Sequence, residues 1–121
     1  MLIRKEVEND IYEMVRDFAL RIIKMYKFLT ENHNEYIMSK QVFRSGTSIG
    51  ANVFEGKNAQ SRADFSNKMN IALKEATETC YWLDLLHEAS YLDDKLFVSL
   101  DNDCTKIVAV LTKIVKATKD S

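Results

Sequence analysis

Few side chains in this sequence are of a type and spacing that could do chemistry. Asp84 and His87 stand one helical turn apart, the spacing at which an acid and a histidine share a metal in helical di-iron proteins. Such sites need a Glu-x-x-His on each of two helices and further glutamates on the others. The chain has two histidines, and His33 falls in the link expected between two helices, so no metal and no cofactor is expected. Cys80 has Thr79 and Tyr81 beside it and no basic residue at a helical neighbour to favour a thiolate. An inert buried thiol is expected there. Cys80 and Cys104 read as two reduced thiols and not as a disulfide framework. The Gly56-Lys57-Asn58 run fails as a phosphate loop, which places serine or threonine directly after the lysine. Neither enzymatic activity nor a small-molecule ligand is expected.

The polar pattern with the most order lies between residues 44 and 56. Arg44, Ser48, Ala51 and Glu55 recur at spacings of four, three and four, with Asn52 at the margin of the core. Arg44 and Glu55 are about 16 Å apart along a helix axis, too far to pair. Arg44 is therefore expected to meet a carboxylate on another helix, Glu75 or Glu78. A buried or interfacial ion pair of this kind would fix register, and Glu78→Ala would then cost roughly 2–4 kcal/mol. Ser45, Gly46 and Gly50 form a small face beside this stripe. Each glycine costs about 1 kcal/mol relative to alanine inside a helix, so a neighbouring helix is expected to approach the backbone closely. Basic residues offer a separate possibility. Arg21, Lys24 and Lys27, and then Lys113, Lys116 and Lys119, are candidates for phosphate contact. The net charge of −1 supplies no general pull towards nucleic acid, and lysines in a last helical turn also complement the helix dipole.

The elements that position these residues follow from apolar spacing. The 121 residues (1–121) suit one domain, and with no proline and three glycines long helices are favoured over strands. Helix 1 is expected over about 10–33, with Asp10 and Glu13 as a capping box and Ile11, Val15, Phe18, Ile22, Met25 and Leu29 as its stripe. Helix 2 spans about 35–55, with Met38, Val42, Ile49 and Val53 inward and Gly56 as a left-handed stop. Helix 3, about 62–90, opens after Ser61 with Asp64 as a second capping signal. It carries Phe65, Met69, Ala72, Ala76, Cys80, Leu83 and Leu86. Helix 4, about 94–118, opens at Asp93 or Asp94 and carries Phe97, Leu100, Cys104, Ile107, Val108, Leu111 and Val115. Short links make neighbours antiparallel, so the fold class is all-α, an antiparallel up-and-down four-helix bundle. No apolar run reaches the roughly 18 residues of a membrane span, and the Met1–Glu6 run lacks the apolar stretch of a signal peptide, so a cytoplasmic location is expected.

Helix 3 has a second seam: Ile71, Glu75, Glu78, Trp82 and Leu85, turned about 100° from the core stripe. In a lone bundle Ile71, Trp82 and Leu85 would stand in water, and contiguous apolar patches usually mark interfaces. Self-association through Ile71, Glu75, Trp82 and Leu85 is expected.

The run Arg44-Ser45-Gly46-Thr47-Ser48-Ile49-Gly50-Ala51-Asn52-Val53-Phe54-Glu55-Gly56, then Asp64-Phe65 and Ile71-Ala72-Leu73-Lys74-Glu75-Ala76-Thr77-Glu78, resembles the bacterial four-helix bundle proteins of the 23S rRNA intervening-sequence family. Arg44, Ser45, Ser48, Ile49, Asn52, Glu55, Gly56 and Glu78 match that family's motif, and the likeness covers nearly the whole chain. The resemblance implies a left-handed up-and-down bundle and a ring-like homopentamer, and carries no settled biochemical activity. A related accessory protein of diversity-generating retroelements binds nucleic acid through a strongly basic surface, from which this slightly acidic chain departs. The expected role is a non-enzymatic oligomeric interaction or scaffold module; the alternative is a nucleic-acid-binding accessory acting through basic clusters on a ring.

Overall fold

In the computed structural model, which describes residues 11–119, four helices follow one another: α1 (Tyr12–His33), α2 (Met38–Glu55), α3 (Arg62–Glu88) and α4 (Asp94–Lys119). A 3-10 turn, Gly56–Asn58, continues directly from α2. The described residues contain no strand. The Asp10 cap and the Met1–Glu6 run lie outside the described residues. Touching pairs run in opposite senses along each neighbouring pair of helices. Tyr12 meets Phe54 and Tyr26 meets Phe43 across α1 and α2. Lys68 meets Glu55 and Thr79 meets Ser45 across α2 and α3. Arg62 reaches Thr118 and Cys80 reaches Cys104 across α3 and α4. The neighbours are antiparallel, as the short links require.

The apolar stripes meet in one core. Val15, Phe18, Ile22, Leu29, Val42, Ile49, Met69, Leu83, Leu86, Leu100, Ile107 and Leu111 are all fully buried, and each large aliphatic or aromatic chain among them contributes about 1.5–3 kcal/mol through burial. At the edge, Met38, Cys80, Phe97, Val108 and Val115, expected in the stripes, are only half-buried against this core. The helices are not equally joined. The α3–α4, α2–α3 and α1–α2 seams are extensive, and the α1–α4 seam is thin. Arg21 clasps the thin seam through Asp103, and shallow grooves flank the clasp. Met14, Phe18 and Ile107 line one; Met25, Phe28, Leu96 and Leu100 line the other.

Two small-residue positions separate on inspection of their surroundings. A Cβ added at Gly46 would come 2.8 Å from Ile22 Cγ1 and 3.0 Å from its Cγ2, whereas one at Gly50 would meet the Val15 carbonyl at an ordinary 3.5 Å. The close approach expected of both glycines is sterically enforced at Gly46. Gly56 is not the left-handed stop expected of it: its φ is −59°, in the right-handed region. Its lack of a side chain makes room for Met69, whose Cε would lie 2.5 Å from an added Cβ. The left-handed residues among those described are Asn34 (φ 53°) and Ser90 (φ 68°), and they end α1 and follow α3. The third helix accordingly stops at Glu88, two residues before the expected end.

The starts of α2, α3 and α4 rest on side-chain caps. Ser61 Oγ accepts from the Asp64 N–H at 3.0 Å, and Asp64 accepts in turn from Gln60 N–H. Asp93 accepts from Leu96 N–H at 2.8 Å. The second helix starts at Met38 and not at Glu35, because Glu35 is its cap. One carboxylate oxygen accepts from the Ser39 N–H at 2.7 Å, the other from Ile37 and Met38 N–H at 3.1 Å each, and the Ser39 hydroxyl donates to the Glu35 carbonyl. Burial pushes the Glu35 carboxyl upward, but the three backbone donors and the Ser39 hydroxyl together hold it below its ordinary value, since they favour the charged form.

Two outcomes follow from this packing. Gly46→Ala overfills the α1–α2 seam and lowers unfolding free energy by about 1–2 kcal/mol, overpacking exceeding the gain in helix propensity. Gly50→Ala is neutral or stabilising by up to about 1 kcal/mol; denaturant titration of the two variants distinguishes these signs. Because the Glu35 pKa is depressed on folding, its contribution is present above the unfolded value of about 4.3 and is lost as pH falls through the lower folded value. Thermal melts from pH 5 to 3 should therefore fall less steeply for Glu35→Gln than for the parent chain.

Candidate functional site

The polar stripe of α2 and the second seam of α3 lie side by side because Ser45 and Thr79 pack face to face in the core. Their hydroxyl oxygens are 2.9 Å apart, and the Thr79 oxygen is also 2.7 Å from the Glu75 carbonyl. Both residues are fully buried, so this pair satisfies two hydroxyls that would otherwise be costly. Thr79 was not among the residues singled out above; a threonine at a core position three residues from Ala76 was the available signal.

One turn outward, Arg44 bridges both expected carboxylates. Its Nη1 donates to Glu75 Oε2 at 3.1 Å and its Nη2 to Glu78 Oε2 at 2.6 Å. The same Glu78 oxygen accepts from Trp82 Nε1 at 3.0 Å. Trp82 and Arg44, in that order, hold the Glu78 carboxyl below its usual range against the opposing effect of burial, and Glu78 and Glu75 raise the Arg44 guanidinium further above its own. The Tyr81 ring stands edge-on to Trp82, with centroids 5.2 Å apart. The ion pair, expected to be buried or interfacial, joins two helices but is not buried: the Arg44 side chain is 50% exposed, Glu78 36% and Glu75 18%. Water reaches it, so the worth of each pair is that of a surface interaction.

The other motif residues act locally. Ser48 donates its hydroxyl to the Arg44 carbonyl at 2.6 Å, and Asn52 donates to the Ser48 carbonyl at 2.9 Å. Glu55 pairs with Lys68 at 2.9 Å at the far end of the stripe. Ile71, Trp82 and Leu85 do not stand in water as a lone bundle was expected to leave them; each is half-buried, and Trp82 packs on the core edge. The exposed large apolar chains near this edge are Tyr81 at 57% and Ile37 at 79%. With Ser45 opposite Thr79, the antiparallel register sets Ile37 near the level of His87, close to the C-terminal end of α3.

The basic candidates are not brought together. Arg21 is engaged within the fold, donating to Asp103 Oδ2 at 2.7 Å and Ser99 Oγ at 3.0 Å. Lys24 and Lys27 are exposed towards one end of the bundle, and Lys113, Lys116 and Lys119 are exposed at the other. Since Arg21 lies opposite Asp103, the two lysine groups are at least about 20 Å apart along the axis. Arg62, outside the basic clusters considered above, joins the second group: its guanidinium donates to the Ala117 and Thr118 carbonyls at the negative end of the α4 dipole. Lys57 lies nearby, 4.4 Å over the Tyr12 ring.

Neither histidine lies in a ligand cluster. His87 stacks on Phe97 with centroids 4.1 Å apart and meets Asp94 Oδ1 at 2.7 Å. His33, the last residue of α1 and not a link residue, packs edge-on to Phe28 and Tyr91. No group of three or more potential metal ligands occurs among the described residues, and none of their helices is long and apolar enough to cross a membrane. Cys80 is half-buried, where a buried thiol was expected, and its sulfur touches that of Cys104.

Comparison with known proteins agrees with this architecture. The family described as 23S rRNA-intervening sequence protein matches residues 7–113. A solved structure similar to the chain is that of a protein of unknown function of the S23 ribosomal protein family from Bacteroides thetaiotaomicron. It is 52% identical, with a TM-score of 0.87, over 89% of this chain and 96% of that one. No curated protein matches the sequence.

The exposure of the ion cluster sets the expected cost of breaking it. Glu78→Ala should lower stability by about 1 kcal/mol, below the range for a buried pair, because Arg44 keeps Glu75 and water replaces the lost acceptor. Chemical denaturation of the variant measures this. The Trp82 emission should shift as its N–H loses Glu78.

Proposed function

We propose that this chain, which belongs to the 23S rRNA-intervening sequence protein family, acts without catalysis, as a self-associating interaction module in the cytoplasm. The contact between copies is assigned to the α2–α3 edge, and five copies to a ring, the number the family resemblance implies. One observation carries the reading: Arg44, Glu78 and Trp82 are linked by hydrogen bonds into one half-exposed unit with Tyr81 against it. Arginine, tryptophan and tyrosine are the side chains most enriched where interfaces concentrate their binding energy. Their hydrogen bonds hold the indole and the guanidinium in place before any partner arrives, which lowers the ordering cost of association. Ile37, about 10 Å along the axis from Arg44 and largely in water, extends the surface with apolar area.

A second reading, nucleic-acid binding, is favoured by a grouping of basic side chains. Arg62, Lys57, Lys113, Lys116 and Lys119 occupy one end of the bundle. A ring would repeat the basic end once per subunit, multiplying the phosphate contacts.

Light-scattering mass across a sizing column tests both. The parent chain should elute as a multiple of its 14.0 kDa, and Trp82→Glu as a single chain with its helical content kept. An unchanged mass for Trp82→Glu removes this interface. Excess 260 nm absorbance on the same peak, lost as salt is raised, would put the second reading first.

A further inference from the structure

Cys80 and Cys104 lie on the opposite flank of α3 from the Arg44 cluster, where α3 packs against α4. Both are free thiols, and their sulfurs are 2.8 Å apart across the two helices. A disulfide bond measures about 2.05 Å, so bonding requires about 0.8 Å of further approach between side chains already aimed at each other. The two thiols are not equivalent. Cys104 is fully buried, its sulfur 3.3 Å from the Ala76 carbonyl. Cys80 is half-buried at the rim of the seam, within reach of a small reagent. Contact with Cys104 lowers the Cys80 thiol from its ordinary value, against the effects of burial and of Asp101. Contact with Cys80 and burial raise that of Cys104. One sulfur is thus placed to react first, and the other stands behind it.

We infer that Cys80 and Cys104 form a dithiol–disulfide couple, a redox-modification site whose co-reactant is a small-molecule disulfide of the glutathione class. The Cys80 thiolate attacks one sulfur of that disulfide; the reagent's S–S bond breaks and its first thiolate leaves. Cys104 then attacks Cys80 Sγ, breaking the mixed disulfide and expelling the second thiolate. The protein's two thiols are oxidised to one disulfide, the reagent is reduced to two thiols, and the two protein protons end on them. The new bond ties α3 to α4 across residues 80–104 and narrows the unfolded ensemble. This couple is independent of the self-association proposed above.

The test incubates the full chain, natively folded, with oxidised glutathione, then alkylates remaining thiols in denaturant and weighs the intact protein. The expected result is a loss of about 2 Da, the two thiol hydrogens, with no alkylation. A peptide should link Cys80 to Cys104 within one chain, and the melting temperature should rise by several degrees. Cys104→Ser should keep a glutathione adduct on Cys80, and Cys80→Ser should react at least about tenfold more slowly at its buried thiol. Two alkylated cysteines after oxidation, a persistent adduct on the parent chain, or a link between two chains would each overturn the inference. The parent chain's mass decides the matter even if a variant fails to fold.

Discussion

The approach of α1 to the backbone of α2 at Gly46 is the contact on which the rest of the arrangement depends. No Cβ fits between Gly46 and Ile22 without displacement, and Ile22 is itself fully enclosed. On its other flank α2 presents Ser45, whose hydroxyl meets that of Thr79. With small residues on both flanks, α2 lies between α1 and α3 as a thin spacer. Its third side, carrying Arg44, Ser48 and Glu55, must then emerge along the α2–α3 edge. A bulkier α2 would push the three helices apart and carry Arg44 away from Glu75 and Glu78, since close-packed interiors transmit such displacements.

Much of this was legible in the sequence. Apolar residues at spacings of three and four located all four helices, because long periodic segments leave little ambiguity. Axial distance excluded Glu55 as the partner of Arg44 and directed it to a carboxylate of another helix, Glu75 or Glu78; it holds both. What escaped is instructive. Glu35 looked like the first residue of a helix, but a buried glutamate can turn its carboxylate onto backbone N–H groups, which periodicity does not register. Gly56 followed a helix and suggested a left-handed end; it is small for the sake of Met69. Angular position on α3 placed Trp82 and Leu85 on a separate face without revealing how far α2 leans over it, so their exposure was overestimated. Thr79, noted only as a neighbour of Cys80, lies at a core position where a hydroxyl requires a partner.

The Arg44 cluster contributes order more than stability. Its members are exposed enough that each ion pair is worth little, yet one glutamate oxygen serves both a guanidinium and an indole. The consequence is geometric: two large side chains from different helices are held in fixed relation at the surface. On the far flank of α3 the sulfur pair does the same between α3 and α4, with softer groups. The third helix thus carries a polar tie on one side and a thiol contact on the other, with the core stripe between them.

The uneven seams give the bundle a mechanical character. Three extensive seams and one thin one leave the bundle least tightly joined along a slit between the first and last helices, under the Arg21–Asp103 clasp. Regions with few buried contacts open at lower free energy than the body of a fold, and a partly exposed ion pair is weakened by dissolved salt. Amide hydrogens of α1 and α4 along the slit are therefore the ones whose exchange with solvent deuterium tracks ionic strength. Those of α2, enclosed between two neighbours, exchange through opening of the whole fold.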